Sequence, residues 1–408
     1  MTGFIPFIRE NARFLAAGAL LTLISSFGQT FFISIFAGQI KSEFGLTDGG
    51  WGTIYMVGTL ASAAVMLRAG MLTDVMRVRH LGALVMVGLA AACVFMAVNP
   101  WVYALPLVVF TLRFTGQGML THLAVVAMAR WYVATRGRAI ALSFLGYAAG
   151  EAVLPMIVVA IMDGVYWRFI WIGCAFVAFG LIPLLLQLLK QERTPQSVAH
   201  ENQSFGMRGV HWSRPDCMRH YLFWFMVPVV LAPSTFVTSL FFHQVHLAEI
   251  KGYSHAGFVA LFPVYTVVSV TFGVVFGWLI DKFGTARLMP WFQVPMAIGF
   301  VVLGLTNSLG ATALAFVLMG LTQGGNATLS GAFWAEFYGT RHLGAIKAMA
   351  TAVMVLGSAI GPAVTGGLID AGIMFDQQMI WIAGIILTVC ALIGAGISRA
   401  NREFLPGL

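Results

Sequence analysis

Apolar runs of about 20 residues follow one another along the whole chain, each long enough to cross a hydrocarbon core roughly 30 Å thick as a helix. We count twelve, near 13–37, 50–69, 81–98, 102–126, 138–161, 167–189, 221–247, 256–278, 288–306, 311–334, 345–368 and 379–398. In lipid, only helices and closed barrels satisfy all their own backbone hydrogen bonds, so runs of this length demand helices. The sequence therefore predicts an all-α membrane protein with twelve transmembrane helices. Composition agrees, with 59% hydrophobic and 9% charged residues in a chain of 408, where soluble domains carry about a quarter charged residues.

The formal net charge of +8 would suit an anionic partner. Placing the N-terminus in the cytoplasm puts all but four of the 23 Lys and Arg on that side. Lys41, Arg168 and Lys251 fall on the other side, and Arg113 falls inside a span. That asymmetry is the positive-inside rule, so the basic excess reports topology, and nucleic acid is excluded as a partner. The expected setting is the plasma (inner) membrane, multi-pass, with both termini cytoplasmic and the lipid bilayer as partner. Cys93, Cys174 and Cys390 lie in spans and Cys217 in a connection. None has metal-like spacing, so they read as packing residues, and no metal or other cofactor is expected. The first apolar run is long and lacks a cleavage signal, which makes it the first helix and not a signal peptide.

The longest polar stretch separates spans six and seven and predicts a cytoplasmic linker at 190–220, between six-helix bundles at 1–189 and 221–408. Sliding the sequence on itself by 207 residues aligns Gly70, Leu72 and Asp74 with Gly277, Leu279 and Asp281. The same shift aligns Thr115 with Thr322, Gly118 with Gly325, Gly137 with Gly344, Gly150 with Gly357 and Pro155 with Pro362. The chain is thus two pseudo-symmetric six-helix bundles. "GWLIDKFGTAR", through Gly277, Leu279, Asp281, Lys282, Gly284 and Arg287, resembles the loop signature of the major facilitator superfamily. The first copy, "GMLTDVMRVR", departs from it at Val75 and Arg77. The resemblance covers the whole chain and implies a transporter that holds its substrate between the two halves.

In such loops a carboxylate beside basic side chains and helix ends can latch one conformation, because partly desolvated ionic contacts are strong. Asp74, Arg77, Asp281, Lys282 and Arg287 are therefore expected to gate, and an ordinary turn is the plainer alternative. Arg130, Arg136 and Arg138, with Glu336 and Arg341, are expected to join the same cytoplasmic network.

Arg113 and Glu151 are the ionisable groups well inside the spans, and the repeat places Gly320 and Ser358 opposite them. A charge at mid-depth costs about 2.5–3.5 kcal/mol on insertion scales, so it faces a cavity or a partner. The expectation is that Arg113 binds an anionic substrate and Glu151 takes the coupling proton; a permanent ion pair joining two helices is the alternative. Gln117 follows Arg113 by one turn and Tyr147 precedes Glu151 by one. Gln29 shares a face with Ser26, and Ser239 shares one with Thr235 and His246. With Tyr265, Gln323 and Asn326, these are candidate substrate contacts, although such side chains also bind neighbouring helices. His243 and His246, toward the outer end of span seven, suit a gate or a solvent-facing place. "GYAAGEA" and "GSAIGPA" suit close backbone approach between helices.

"LRFTGQG" and the residues after "ARWYV" are also similar to the bacterial monocarboxylate and oxalate-formate branch of that superfamily. The leading expectation is a monomeric transporter, secondary active or facilitative, that moves a small organic anion, a monocarboxylate above all, by alternating access and with proton coupling. A proton-driven exporter of amphipathic compounds and a transporter-like sensor are the alternatives. The chain has no Gly-x-x-x-x-Gly-Lys-Ser/Thr nucleotide loop and no visible nucleophile–base set, so an enzyme is not expected.

Overall fold

The computed structural model describes residues 4–132, 135–191 and 205–404, and among them every regular element is a helix. Twelve rods follow in chain order. The first six are α1 (Phe4–Ile24, with a bent continuation), α2 (Asp48–Ala69), α3 (Val78–Val98), α4 (Leu105–Leu112, running on through Arg113–Leu120 and Thr121–Trp131), α5 (Arg136–Met162) and α6 (Trp167–Gly180, continued by Ile182–Leu188). The second six are α7 (Tyr221–Phe242), α8 (Phe262–Leu288), α9 (Val294–Leu305), α10 (Leu309–Tyr338), α11 (Leu343–Asp370) and α12 (Phe375–Phe404).

Local chemistry sets the boundaries. Gly45, at φ 64°, ends the continuation of α1, a left-handed conformation that costs glycine nothing. The Thr47 hydroxyl then accepts from the Gly50 N–H at 3.0 Å and caps α2. Proline stands in the first turn of α4, α8 and α9, where no helical N–H is lost. Among the described residues, eight helices are long and apolar enough to span a membrane singly, and the bent pair Pro6–Gly28 and Thr30–Phe44 makes a ninth.

The chain divides into two compact units, residues 1–199 and 200–408. Within the first, α1 lies against α5, α2 against α4 and α3 against α6. Within the second, α7 lies against α11, α8 against α10 and α9 against α12. The repeat read from residue spacing is thus a repeat of packing.

Small residues make that packing possible. A methyl group at Gly146 would meet Thr22 Oγ1 at 2.6 Å, and one at Gly357 would meet Thr235 Oγ1 at 2.7 Å. The Thr22 hydroxyl donates to the Ser143 carbonyl at 2.6 Å and ties α1 to α5. In the second unit, Pro233 deprives the Val229 carbonyl of its helical donor, and the buried Gln293 amide supplies one at 2.6 Å. The described part of the segment before α7 packs on the second unit. Trp212 donates its backbone N–H to the Tyr338 carbonyl at 3.2 Å. Met207 and Cys217 are buried in that unit's core, where desolvation pushes the Cys217 thiol up to about 12.

Candidate substrate site

The first helix is broken at mid-length. Ser25–Gly28 tightens into a 3₁₀ turn, Gln29 is extended at φ −85° and ψ 154°, and helix resumes at Thr30 with a bend of 45°. Facing this break, Arg113–Leu120 of α4 is a π-helix, a rare form found mostly at functional sites. Gly28 and Gly116 bring the two irregular segments together backbone to backbone. A methyl group on Gly116 would stand 2.6 Å from the Gly28 Cα, and one on Gly28 would stand 2.8 Å from the Gly116 Cα.

Arg113 begins the π segment and is 1% exposed. Its Nη1 donates to the Gly28 carbonyl at 3.3 Å and to the Thr30 hydroxyl at 3.2 Å. The break in α1 makes the Gly28 carbonyl available, since a continuous helix would direct it at its own next turn. The guanidinium lies 5.2 Å from the ring centroid of Tyr55 on α2, and the Tyr55 hydroxyl shares a 2.5 Å hydrogen bond with Thr30. The remaining donors, Nε and Nη2, are buried and have no hydrogen-bond partner among the described residues.

Glu151, 8% exposed, accepts from the Tyr147 hydroxyl one turn earlier on α5 at 3.1 Å. The Tyr147 ring meets Phe31 edge-on at 5.8 Å, next to Thr30. Gln29 is buried, with its amide toward the Ser25 hydroxyl at 3.5 Å, and Gln117 is half-buried on the π segment. The first unit thus gathers Gln29, Arg113 and Gln117 at the α1–α4 contact, and Tyr147 with Glu151 on α5. Gly28, Thr30, Tyr55 and Gly116 were missed from the sequence. The hydroxyl of Tyr55 within an apolar run was the signal that could have found one of them.

The corresponding region of the second unit is aromatic. Phe241, Phe258, Phe262, Tyr265 and Phe316 form a cluster with ring centroids 4.9–6.2 Å apart. Tyr265 is buried in this cluster. The Ser239 hydroxyl is turned back to its own helix, donating to the Thr235 carbonyl at 2.8 Å. Gln323 and Asn326 are half-buried on α10. Of the two places expected for His243, a gate or solvent, the second does not hold: it is buried, and its Nε2 lies 3.0 Å from the Pro362 carbonyl. A carbonyl only accepts, so that nitrogen carries the proton.

Of the expected gate residues, Arg130 and Glu336 each form a tie within its own unit. Arg130 at the end of α4 donates to the Thr73 carbonyl at 2.5 Å, which fixes the α2–α3 loop. In the second unit α8 turns at Gly284, at φ 73°, and frees the Thr285 N–H. Glu336 on α10 accepts from that N–H at 3.2 Å and from the Thr285 hydroxyl at 2.7 Å. Arg77, Asp281 and Arg287 are exposed, as is Lys282, whose ammonium lies 5.2 Å from the Trp278 ring. The side chains of Asp74 and Arg136 lie outside the described residues.

At the opposite ends of the bundles, the three cations that break the sequence's charge asymmetry are each engaged. Lys41 pairs with Asp48 at 2.8 Å. Arg168 donates Nη1 to the Ala97 carbonyl at 2.8 Å, at the C-terminus of α3, and both Nε and Nη2 to Glu43 Oε1 at 3.0 and 2.7 Å. Lys251 donates to the Thr306 carbonyl at 2.9 Å, at the C-terminus of α9. Burial lowers the Lys251 ammonium from its ordinary value, against the pull of Asp376. A cation at a helix C-terminus is favoured by the macrodipole, and both units use one on their third helix.

The model of the Major Facilitator Superfamily matches residues 18–271 and again 225–404. No curated protein matches the chain. Among solved structures, one similar chain is a bacterial homologue of the human lysosomal transporter Spinster, inward-facing and unoccupied, at 14% identity and a TM-score of 0.73, over 98% of this chain and 99% of that one. Another is the nucleoside transporter NupG, at 13% identity and 0.66, over 94% and 98%. At such identities the likeness is one of fold.

Proposed function

The chain belongs to the major facilitator superfamily, and from that premise we propose that it carries a small organic anion, a monocarboxylate above all, bound by Arg113. Membership makes it a multi-pass membrane transporter of a small molecule and not an enzyme. The anion rests on one observation, the buried and unpartnered Nε and Nη2 of Arg113. Those two N–H groups point along one edge of the guanidinium, the geometry that takes a carboxylate in a fork. Arg168 supplies an internal example. Its Nη1 is tied to a backbone carbonyl, as that of Arg113 is, and its Nε–Nη2 edge holds the Glu43 carboxylate, there through the single oxygen Oε1. A buried donor without a partner costs about 1–3 kcal/mol, more when charged, so an arriving carboxylate removes a standing penalty.

Glu151 is the proposed proton acceptor, with Tyr147 orienting its carboxylate, and protonation there compensates the charge carried in. The proposal extends to a monomer in the plasma membrane with cytoplasmic termini, in which the loops held by Arg130 and Glu336 latch the gate.

Uptake by proteoliposomes of labelled monocarboxylates and cationic dyes, with and without a pH gradient, tests this. Arg113→Ala is expected to abolish carboxylate flux, and Glu151→Gln to retain exchange while losing acceleration by the gradient. Carboxylate flux unchanged in Arg113→Ala would discard the anion site, and dye flux in its place would point to an exporter. Gradient dependence unchanged in Glu151→Gln would remove that residue from coupling.

A further inference from the structure

We infer that Thr30 and Tyr55 are positioning residues that decide which edge of Arg113 meets the substrate, and so set the preference for a planar carboxylate over a tetrahedral oxyanion. The inference rests on the anion site proposed above and concerns how that site discriminates. A guanidinium has two forks, one formed by Nη1 with Nη2 and one by Nε with Nη2. Here Nη1 is spent on the Gly28 carbonyl and the Thr30 hydroxyl, so the first fork is closed and the second is the one left to bind.

The Thr30 hydroxyl cannot easily turn away, because the Tyr55 hydroxyl holds it at 2.5 Å. Tyr55 is itself fully buried, and its ring lies against the guanidinium it helps to orient. Three helices thus fix one plane: α1 through Thr30, α2 through Tyr55 and α4 through Arg113. A fixed plane favours a ligand whose two oxygens lie in that plane at the spacing of the two N–H groups, as a carboxylate's do. A sulfonate or phosphonate can lay two oxygens in that plane as well, but its carbon and third oxygen then leave it on opposite sides, where a carboxylate's carbon stays in it. A mobile guanidinium tolerates that better than a fixed one.

The test measures transport KM and Vmax in proteoliposomes for a monocarboxylate and for the sulfonate of the same carbon skeleton. Thr30→Val removes the acceptor at nearly equal volume, and is expected to raise the carboxylate KM roughly tenfold, the scale of a lost hydrogen bond to a charged group. Vmax is expected to hold, and the carboxylate-to-sulfonate preference to shrink. Thr30→Ser, which keeps the hydroxyl, should restore both KM and preference to within about twofold. Tyr55→Phe keeps the ring and loses the tether, with an expected KM change of about fivefold.

An unchanged preference in Thr30→Val, or a Thr30→Ser as impaired as Thr30→Val, would overturn the positioning role while leaving Arg113 as the anion site. Loss of the site itself shows separately, as carboxylate flux indifferent to Arg113→Ala. Should Thr30→Val not be recovered folded, the Tyr55→Phe preference decides the matter.

Discussion

The two units repeat the same helix pairings and differ most at the contact of their first, second and fourth helices. In the first unit that region holds a broken helix, a π-helix and a buried cation bonded to Gly28 and Thr30. In the second it holds stacked and edge-on aromatic rings, and Gly320 stands at the repeat position of Arg113, where a methyl group would lie 2.8 Å from the Tyr265 carbonyl. One arrangement is closed by dispersion and shape, and the other keeps two charged N–H groups without a hydrogen-bond partner among the described residues. The fold therefore does not need a cation here. What the second unit achieves with phenylalanine, the first gives up, and binding is the proposed return.

The sharpest way to break that contrast is to exchange its terms. Gly320→Arg has no room against α8 and would bury an unpaired charge at a cost of several kcal/mol. It is expected to yield no monodisperse protein on size-exclusion chromatography in detergent. Arg113→Met, of similar length and without charge, is expected to remain folded, since apolar replacement of a buried charge is often neutral. Its carboxylate flux should still fall by roughly 100-fold or more, the scale of losing a buried charged partner. A folded Gly320→Arg, or an Arg113→Met that unfolds, would mean that the two positions do the same structural task.

A smaller effect is expected at the loops. Arg130 grips a carbonyl and Glu336 grips an N–H, so the two units hold equivalent loops with opposite charges. If both ties serve the gate, Arg130→Met and Glu336→Gln should each change turnover by about three- to tenfold, consistent with one charge-assisted hydrogen bond, with KM nearly constant. A change in only one would make the other a purely structural tie.

The smallest effect concerns the third helices. Lys251→Met removes a cation from the C-terminus of α9 and should lower thermal stability by about 0.3–1 kcal/mol. Arg168→Met should cost more, because Glu43 then loses both of its N–H donors from Arg168. Equal losses would show that the Glu43 pair adds nothing to the cap.

Much of this architecture was legible in the residues themselves. Apolar length gave the helices, and Asp74, Asp281, Pro155 and Pro362 at one constant spacing gave the repeat, because packing constraints act on many residues at once. "GYAAGEA" and "GSAIGPA" announced the close contacts of α5 with α1 and of α11 with α7. The break at Gln29 was not legible, since "SSFGQTFF" lies inside a run apolar enough to span and hydrophobicity does not report hydrogen-bond direction. Thr30 and Tyr55 were missed for the same reason. Their role depends on three helices meeting at one point, which spacing along one helix does not reveal. The solvent-facing alternative for His243 failed because nearness to a helix end suggested solvent, while the Pro362 carbonyl on α11 lay within reach inside.

The π-helix of α4 fits more residues into each turn than an α-helix does. A deletion of one residue between Phe114 and Leu120 would let the segment relax to ordinary α geometry with little change in length. It would also change the rotation accumulated across the segment, because an α-helix turns about 100° per residue and a π-helix turns less. Such a variant could keep twelve spans, its hydropathy profile and its family signature, and still carry Arg113 away from Gly28 and Thr30. In a relative of this chain, a gap of one residue here would therefore be expected to alter the contact of α4 with α1 even where overall similarity is high.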